Sequence, residues 1–497
     1  MENLFYFFVL FLALLFIFKH SFHGNYKLPP SPLALPIIGH IHLIKNPPHE
    51  ALQRLSSRYG PVLYLRFGSR STVVVSSPSA VEECFTKNDV LFASRPKTMA
   101  GDCLTYDYSA FIWAPYGHLW RSLRRLAAIE LFSSRSLQRS SVVRDEETRT
   151  LVSHMLRVRQ VELKHWFSVL AFNIIMRLVA GDRCVKDEDA GKEVGREIVG
   201  RLEKTFLTAA PFNLCDYFPI LRWIDYKGSK KSMMRTQKNR DEFLQELIDD
   251  FRRKRGESSD IGDDKEKSTL IGVLLRLQES EPEFYTEDII KSIILVMFVG
   301  GIGTSVTTME RAMSLLLTNA DALRKLRAEI EDHVGHFRLI ADSDLPTLPY
   351  LHCVVSETLR LYPPAPLLLP HYSTDDCTIA GYEVPRGTTL LVNAWAMHRD
   401  PNVWAEPCDF RPERFQASTG EREEGFKFVP FGFGRRACPG SGMGVRAVSL
   451  AVGALVQCFD MKIVENEGKA ASGGSGNLEI LCVPRRDAAE LLFQRRD

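Results

Sequence analysis

Residues Phe431–Gly440 read FGFGRRACPG and set one thiol, Cys438, in a loop rich in glycine and arginine. Gly432, Gly434 and Gly440 let a backbone turn tightly and lie close to a planar ligand, where a Cβ would intrude. Arg436, two residues before the cysteine, can carry charge to a carboxylate on such a ligand. Backbone amides and flanking positive charge favour the thiolate, the form in which cysteine ligates a metal. The chemistry within reach of this loop is thiolate ligation of a metal held in a large, flat, anionic cofactor. The plain alternative is a buried structural cysteine, the usual fate of this residue type. Five patterned positions in ten residues, Phe431, Gly434, Arg436, Cys438 and Gly440, weigh against it.

Other residues carry chemistry only if the fold brings them together. Glu357 and Arg360 stand three apart in Leu348–Leu361, which reads as a helix ending before Pro363-Pro364, so they share a face and can pair. The same spacing at Glu146–Arg149, Glu193–Arg196 and Glu383–Arg386 reads as surface pairing. Trp120 and Arg124, four apart in WRSLRR, put an indole and a guanidinium on one helical face. Thr286, followed by Glu287 and Asp288, reads as the cap of a helix over Ile289–Leu317. Within it runs Gly300-Gly301-Ile302-Gly303-Thr304-Ser305. Glycine in a helix interior costs about 0.8–1.0 kcal/mol against alanine, so three of them imply that something gains from the space. Either a flat cofactor, dioxygen and substrate approach closely, or another helix crosses there.

The 497 residues, 45% hydrophobic, suffice for a large core, and no composition shift divides them. A formal charge of +2 gives no bulk electrostatic case for nucleic acid as a partner. Ten scattered cysteines without a C-x-x-C point to a reducing compartment and away from zinc. Leu4–Phe18 is an unbroken apolar run, about 22 Å long as a helix, and reads as a retained membrane anchor. A secretory signal is the competing reading, but Glu2 replaces a basic start and no A-x-A-like site follows. Lys19, His20, His23 and Lys27 put the downstream chain on the cytosolic face. The proline-rich segment from Leu28 to Gly39 reads as a stiff connector. Val62–Phe67, Thr72–Ser76 and Thr388–Val392 read as strands, Arg252–Lys267 as a solvated charged loop, and Gly444–Cys458 as a helix behind the cysteine loop. The expected division is an anchor at 1–20, a basic and proline-rich hinge at 21–39, and one mainly α domain with small β-sheets at 40–497.

The order of these features along the chain resembles the cytochrome P-450 superfamily: anchor, PPSP hinge, W-x-x-x-R, glycine-rich helix, E-x-x-R, Pro412-Glu413-Arg414-Phe415 and the cysteine loop. Stretches such as Ala114–Trp120, Val81–Thr86 and Asn393–Asp400 resemble the plant family 81 group, which includes isoflavone hydroxylases and lignan-modifying enzymes. The resemblance implies haem b with Cys438 as axial iron ligand. Arg124, Arg436 and His371 are then expected at its propionates beside Trp120, and Phe431 and Gly434 in the loop against it. Glu357, Arg360 and Arg414 are implied as a buried supporting network. Thr304, Gly303 and Ser305 fall at the catalytic stretch over the haem, where the family pattern is small-Gly-x-acid-Thr. Here the acid position is Gly303, and Arg311 stands where an aromatic is usual. The implied activity is oxidation of an apolar, ring-containing plant metabolite (phenylpropanoid, terpenoid or alkaloid) by O2 and NADPH electrons. Those electrons come through NADPH-cytochrome P-450 reductase at the endoplasmic reticulum membrane. Arg121, Arg125, Arg435 and Arg446 are candidates for docking that acidic partner. The expected pocket walls are Thr98–Trp113, Phe206–Phe218, Val296–Thr304, Ala365–Leu369 and Ile480–Cys482. The missing acid keeps open a second reading, a haem-thiolate isomerase or dehydratase.

Overall fold

The computed structural model describes residues 6–7, 9–11, 26–207, 212–257, 269–416, 424–464 and 478–485. Most of the expected anchor lies outside the described residues, and so does all of the charged stretch beyond Glu257.

The protein is mainly helical with small sheets. The long helix Glu287–Thr318 runs through the largest apolar cluster, packed against Leu163–Ala180 and Ser441–Cys458. These three helices are apolar enough to cross a membrane, yet most of each is buried inside the protein. Their composition reflects a central place in the core, since a helix that is apolar all round must be covered on all sides.

The Thr286 hydroxyl accepts from the Ile289 amide (3.4 Å) and starts the long helix, with Glu287 and Asp288 in its first turn. The glycines leave it unbroken, and two have identified neighbours. A Cβ on Gly301 would lie 2.9 Å from Ile175 of the Leu163–Ala180 helix, and one on Gly303 would lie 3.3 Å from Leu207. Helix crossing therefore accounts for at least one of them.

A four-stranded sheet runs in the order Val62–Phe67, Arg70–Val75, Thr389–Val392, His371–Tyr372. Residues 389–392 lie parallel to 72–75, so distant segments meet on one side of the helical body. A three-stranded sheet joins Gln160–Glu162, Glu479–Pro484 and Phe459–Ile463, and a hairpin pairs Cys377–Ile379 with Tyr382–Val384.

The structure corrects the reading of Arg252–Lys267 as loop in its first six residues. Ser229–Glu257 is one helix, extended because Arg252 pairs with Glu287 (2.5 Å) and Arg255 with Glu279 (2.8 Å). Tyr106, Asp107 and Tyr108 take left-handed backbone conformations in succession, at about 1–2 kcal/mol each for non-glycine residues.

Candidate active site

The cysteine loop is shaped by its own backbone. Gly432 and Gly434 both have φ of +69°, a region in which a side chain is strained, and a Cβ on Gly434 would lie 2.2 Å from Asp89 Oδ1. Asp89 takes the Arg435 amide (3.0 Å) and its guanidinium (3.1 Å), clamping the loop onto the segment after Pro78–Phe85. The Cys438 amide donates to Phe431 O (2.9 Å), closing the turn and leaving the thiol exposed. None of the ten cysteines forms a disulfide.

Cys438 and Thr304 line one and the same cavity. Its walls are mostly apolar: Phe111, Ile112, Ile174, Ile175, Val296 and Phe431 among them. Gly300, Gly301, Thr304 and Ser305 bring the long helix to it from one element, and Cys438, Pro439, Gly440 and Met443 come from another. The Thr304 hydroxyl donates to Gly300 O (2.8 Å) and that of Ser305 to Gly301 O (2.7 Å), so both hydroxyl protons are held by the helix backbone. Leu207 covers the side of the helix at Gly303. The first carboxylate beyond Thr304 on this helix is Glu310, about 9 Å along the axis, whose pKa is raised by burial against the opposing charges of Lys164 and Arg311.

A cluster of arginines gathers behind the cavity wall, on the backbone of Phe111, Ile112 and the cysteine loop. Arg436 donates to Ala93 O (2.6 Å) and Phe111 O (3.1 Å) and stacks over Trp120 at 4.6 Å. Arg124 donates to Ala437 O (2.7 Å), inside the cysteine loop. Arg95, which sequence reasoning missed, donates to Ile112 O (3.2 Å), Leu369 O (3.0 Å) and Pro370 O (2.7 Å). Burial pulls Arg436 down to about 8, with Arg95 and Arg124 adding repulsion, and pulls Arg95 down to about 9. Burial also lowers Arg124, while nearby Cys438 opposes that shift. Among the described residues, no carboxylate contributes at any of the three. His371 Nδ1 bonds Phe92 O (2.8 Å), and burial, then Arg95 and Arg436, hold its pKa well below the ordinary value. Since a carbonyl only accepts, Nδ1 carries the proton and Nε2 of the neutral ring is an acceptor.

Beneath the site, Glu357 takes Arg360 at 2.7 and 2.8 Å and Arg414 at 2.9 Å, with Glu357 and Arg360 fully buried. The helix Pro349–Leu361 supplies two members, and the turn Pro412–Phe415 the third. Other expected positions fall elsewhere. Arg446 is paired with buried Asp342 (2.8 Å), and Arg311 stacks over Tyr362 at 4.8 Å. Ala365–Leu369 and Ile480–Cys482 do not line this cavity, whereas Ile174, Ile175, Phe132 and Met443 do.

These residues fit a flat dianionic macrocycle ligated by a thiolate. The cavity is apolar and partly walled by glycine, a thiol lies on its wall, and the wall's backbone is held by desolvated guanidinium groups without acidic partners among the described residues. That combination, in a mainly helical body with small sheets, suits a macrocycle held by a thiolate. The chain belongs to the cytochrome P-450 family, whose sequence model, described as Cytochrome P-450, matches residues 29–485. It is 47% identical over 474 residues to cytochrome P-450 81Q32 of Catharanthus roseus, covering 92% of each chain. It is 42% identical to (+)-piperitol/(+)-sesamin synthase CYP81Q2 of Sesamum radiatum, over 94% of this chain and 93% of that one. With isoflavone 2'-hydroxylase of Glycyrrhiza echinata the identity is 41%, over 92% and 91%. The protein is thus a cytochrome P-450 monooxygenase similar to plant family 81 members, and membership implies a haem-thiolate cofactor.

Proposed function

We propose that the chain uses haem b, dioxygen and NADPH electrons passed through a membrane reductase to oxidise an apolar, ring-containing plant specialised metabolite. What carries this reading is that Cys438 and Thr304 line the same apolar cavity. Phe111, Ile112 and Val296 give it the character of a site for rings. The relatives' names, an isoflavone hydroxylase and a lignan synthase, favour phenylpropanoid-derived substrates.

Each residue then has a task. Cys438 would ligate the haem iron as thiolate, with Arg124 nearby on Ala437 O. Arg95, Arg124 and Arg436 would meet the propionates beside Trp120, and the dianion would relieve their mutual repulsion. His371 would have to take up a proton at Nε2 to join them as a donor. When bound, thiolate-ligated haem supplies the electron push that favours O–O cleavage. Thr304 would hold a hydroxyl in the cavity, passing protons by rotating its bond away from Gly300 O. Gly303 provides no carboxylate, so protons must reach Thr304 through water, Ser305 or a polar group on the substrate. Glu357, Arg360 and Arg414 would brace the cysteine loop from below.

The proposed setting is the endoplasmic reticulum membrane, held by a span at 1–20 with the catalytic domain of residues 40–497 in the cytosol. Exposed Leu33, Ile37, Ile220, Trp223 and Ile224 support a membrane-facing side.

The test is optical and catalytic. Purified protein reduced under carbon monoxide should show the red-shifted thiolate Soret band, lost in Cys438→Ala, and reductase with NADPH should yield oxygenated product. The carboxylate missing at Gly303 favours a second reading, a haem-thiolate isomerase or dehydratase that rearranges an already oxygenated substrate. Turnover independent of NADPH and reductase would select it.

A further inference from the structure

Tyr106, Asp107 and Tyr108 have φ of 50°, 48° and 63°. Three consecutive non-glycine residues in this region persist only where contacts over-determine them. Inside the loop, Tyr108 N–H donates to Thr105 Oγ1 (3.1 Å). Ser109 and Ala110 amides donate to Tyr106 O and Thr105 O (both 3.0 Å). The Tyr108 hydroxyl accepts from the Thr98 amide (2.8 Å) and donates to Thr98 O (2.9 Å). Its ring sits on Gly101, where a Cβ would lie 2.4 Å away.

The loop is also tied to two helices. The Tyr106 hydroxyl donates to Asp241 Oδ1 (3.0 Å) on Ser229–Glu257, and Lys291 Nζ of the long helix donates to the same oxygen (2.8 Å). One turn-face over, the Ser292 hydroxyl reaches Ser109 O (3.3 Å). Lys291 is buried while Asp241 is 41% exposed. Water can therefore replace Tyr106 on Asp241 without stranding the buried ammonium. Three residues beyond the strained turn come Phe111 and Ile112, both on the cavity wall, whose carbonyls are held by Arg436 and Arg95. The loop is anchored at the cavity end by Arg436 and Arg95 and at the other by the Tyr106 and Tyr108 hydroxyls and Ser292; of these ties the Tyr106 hydroxyl is the one that reaches the Ser229–Glu257 helix.

We propose that Tyr106, Asp241 and Lys291 form a latch that positions residues 105–112 across the cavity. Release of Tyr106 from Asp241 relaxes the left-handed turn and lets the side chains of Phe111 and Ile112 swing aside to admit a ring-containing molecule, while their carbonyls stay with Arg436 and Arg95. These are positioning residues, acting through Phe111 and Ile112, and their role rests on the reading of that cavity as the haem and substrate chamber.

The test uses the full-length, haem-loaded chain in lipid nanodiscs, with Tyr106→Phe and Lys291→Met. Backbone amides of 105–112 should exchange hydrogen several-fold faster in both, with Leu163–Ala180 unchanged. 4-Phenylimidazole, a haem-iron ligand followed by its optical shift, should associate several-fold faster. Tyr106→Phe combined with Asp241→Asn should be no faster than Tyr106→Phe alone, because one latch is already open. Unchanged exchange and association in Tyr106→Phe overturn the latch even if Lys291→Met folds poorly. Absence of the thiolate-type carbon monoxide spectrum in the unsubstituted protein would sink the chamber reading instead, and the exchange measurement would still judge the tie.

Discussion

At Glu357 every carboxylate oxygen is committed: Oε2 to Arg360, and Oε1 to Arg360, Arg414 and the Arg411 amide. Glu357→Gln keeps the shape and removes the charge, leaving fully buried Arg360 uncompensated. The expected cost is about 3–5 kcal/mol, seen as a lower melting temperature and lower haem occupancy; an unchanged melt would contradict a supporting role. Gly303 poses the opposite problem, an absent carboxylate whose place is overlain by Leu207. A Cβ there is tolerable only if Leu207 yields a few tenths of an ångström. Gly303→Asp combined with Leu207→Ala should therefore raise product formed per NADPH above either single variant. Equal coupling in all three would mean that protons reach Thr304 by a route that ignores this position.

At the scale of elements, His398 joins the Pro349–Leu361 helix to the segment before the cysteine loop. Its Nδ1 donates to Arg360 O (3.2 Å) and its Nε2 accepts from the Val429 amide (3.0 Å), a pairing that only the neutral ring can make. Burial, reinforced by Arg360, lowers its pKa from 6.5 to about 3. Below about 6.5 the unfolded chain binds a proton that the folded chain refuses, so this contribution is whole above that pH and is lost as pH falls toward 3. The slope is at most about 1.4 kcal/mol per pH unit, with His371 acting in the same direction. His398→Gln should flatten the fall in stability measured by denaturant titration between pH 6.5 and 4. Identical slopes in the two proteins would reject this assignment. Gly301 makes a separate point about elements. Its spacing along the helix was legible, but a Cβ there would strike Ile175, on a helix more than a hundred residues earlier in the chain.

For the whole molecule, two apolar sets share a side. The turn at Gly68-Ser69 donates to Ile38 O (3.3 Å) and to Tyr217 O (2.9 Å), joining exposed Leu33 and Ile37 to exposed Ile220, Trp223 and Ile224. Trp223 is 90% exposed, a cost in water that a lipid interface would remove. A chain lacking residues 1–20 should still float partly with phospholipid vesicles, and Ile220→Ser with Trp223→Ser should release it to the soluble fraction. Equal flotation of both truncated chains would remove that surface from the account.

The sequence alone settled whatever is local. The cysteine loop, the capped long helix, the E-x-x-R face and the strands at 62–67 and 389–392 follow from turn chemistry, capping and periodicity within a few residues. Whatever depends on distant segments meeting was decided by packing. Arg95, an isolated basic residue in FASRP, carries no motif, yet the fold buries it beside Arg436 and Arg124 behind the cavity wall. Arg446 resembled a surface charge until Asp342 was placed against it. Leu207 and Ile175 had no signal as neighbours of the glycine helix, because a contact across more than ninety residues leaves no periodicity in either partner.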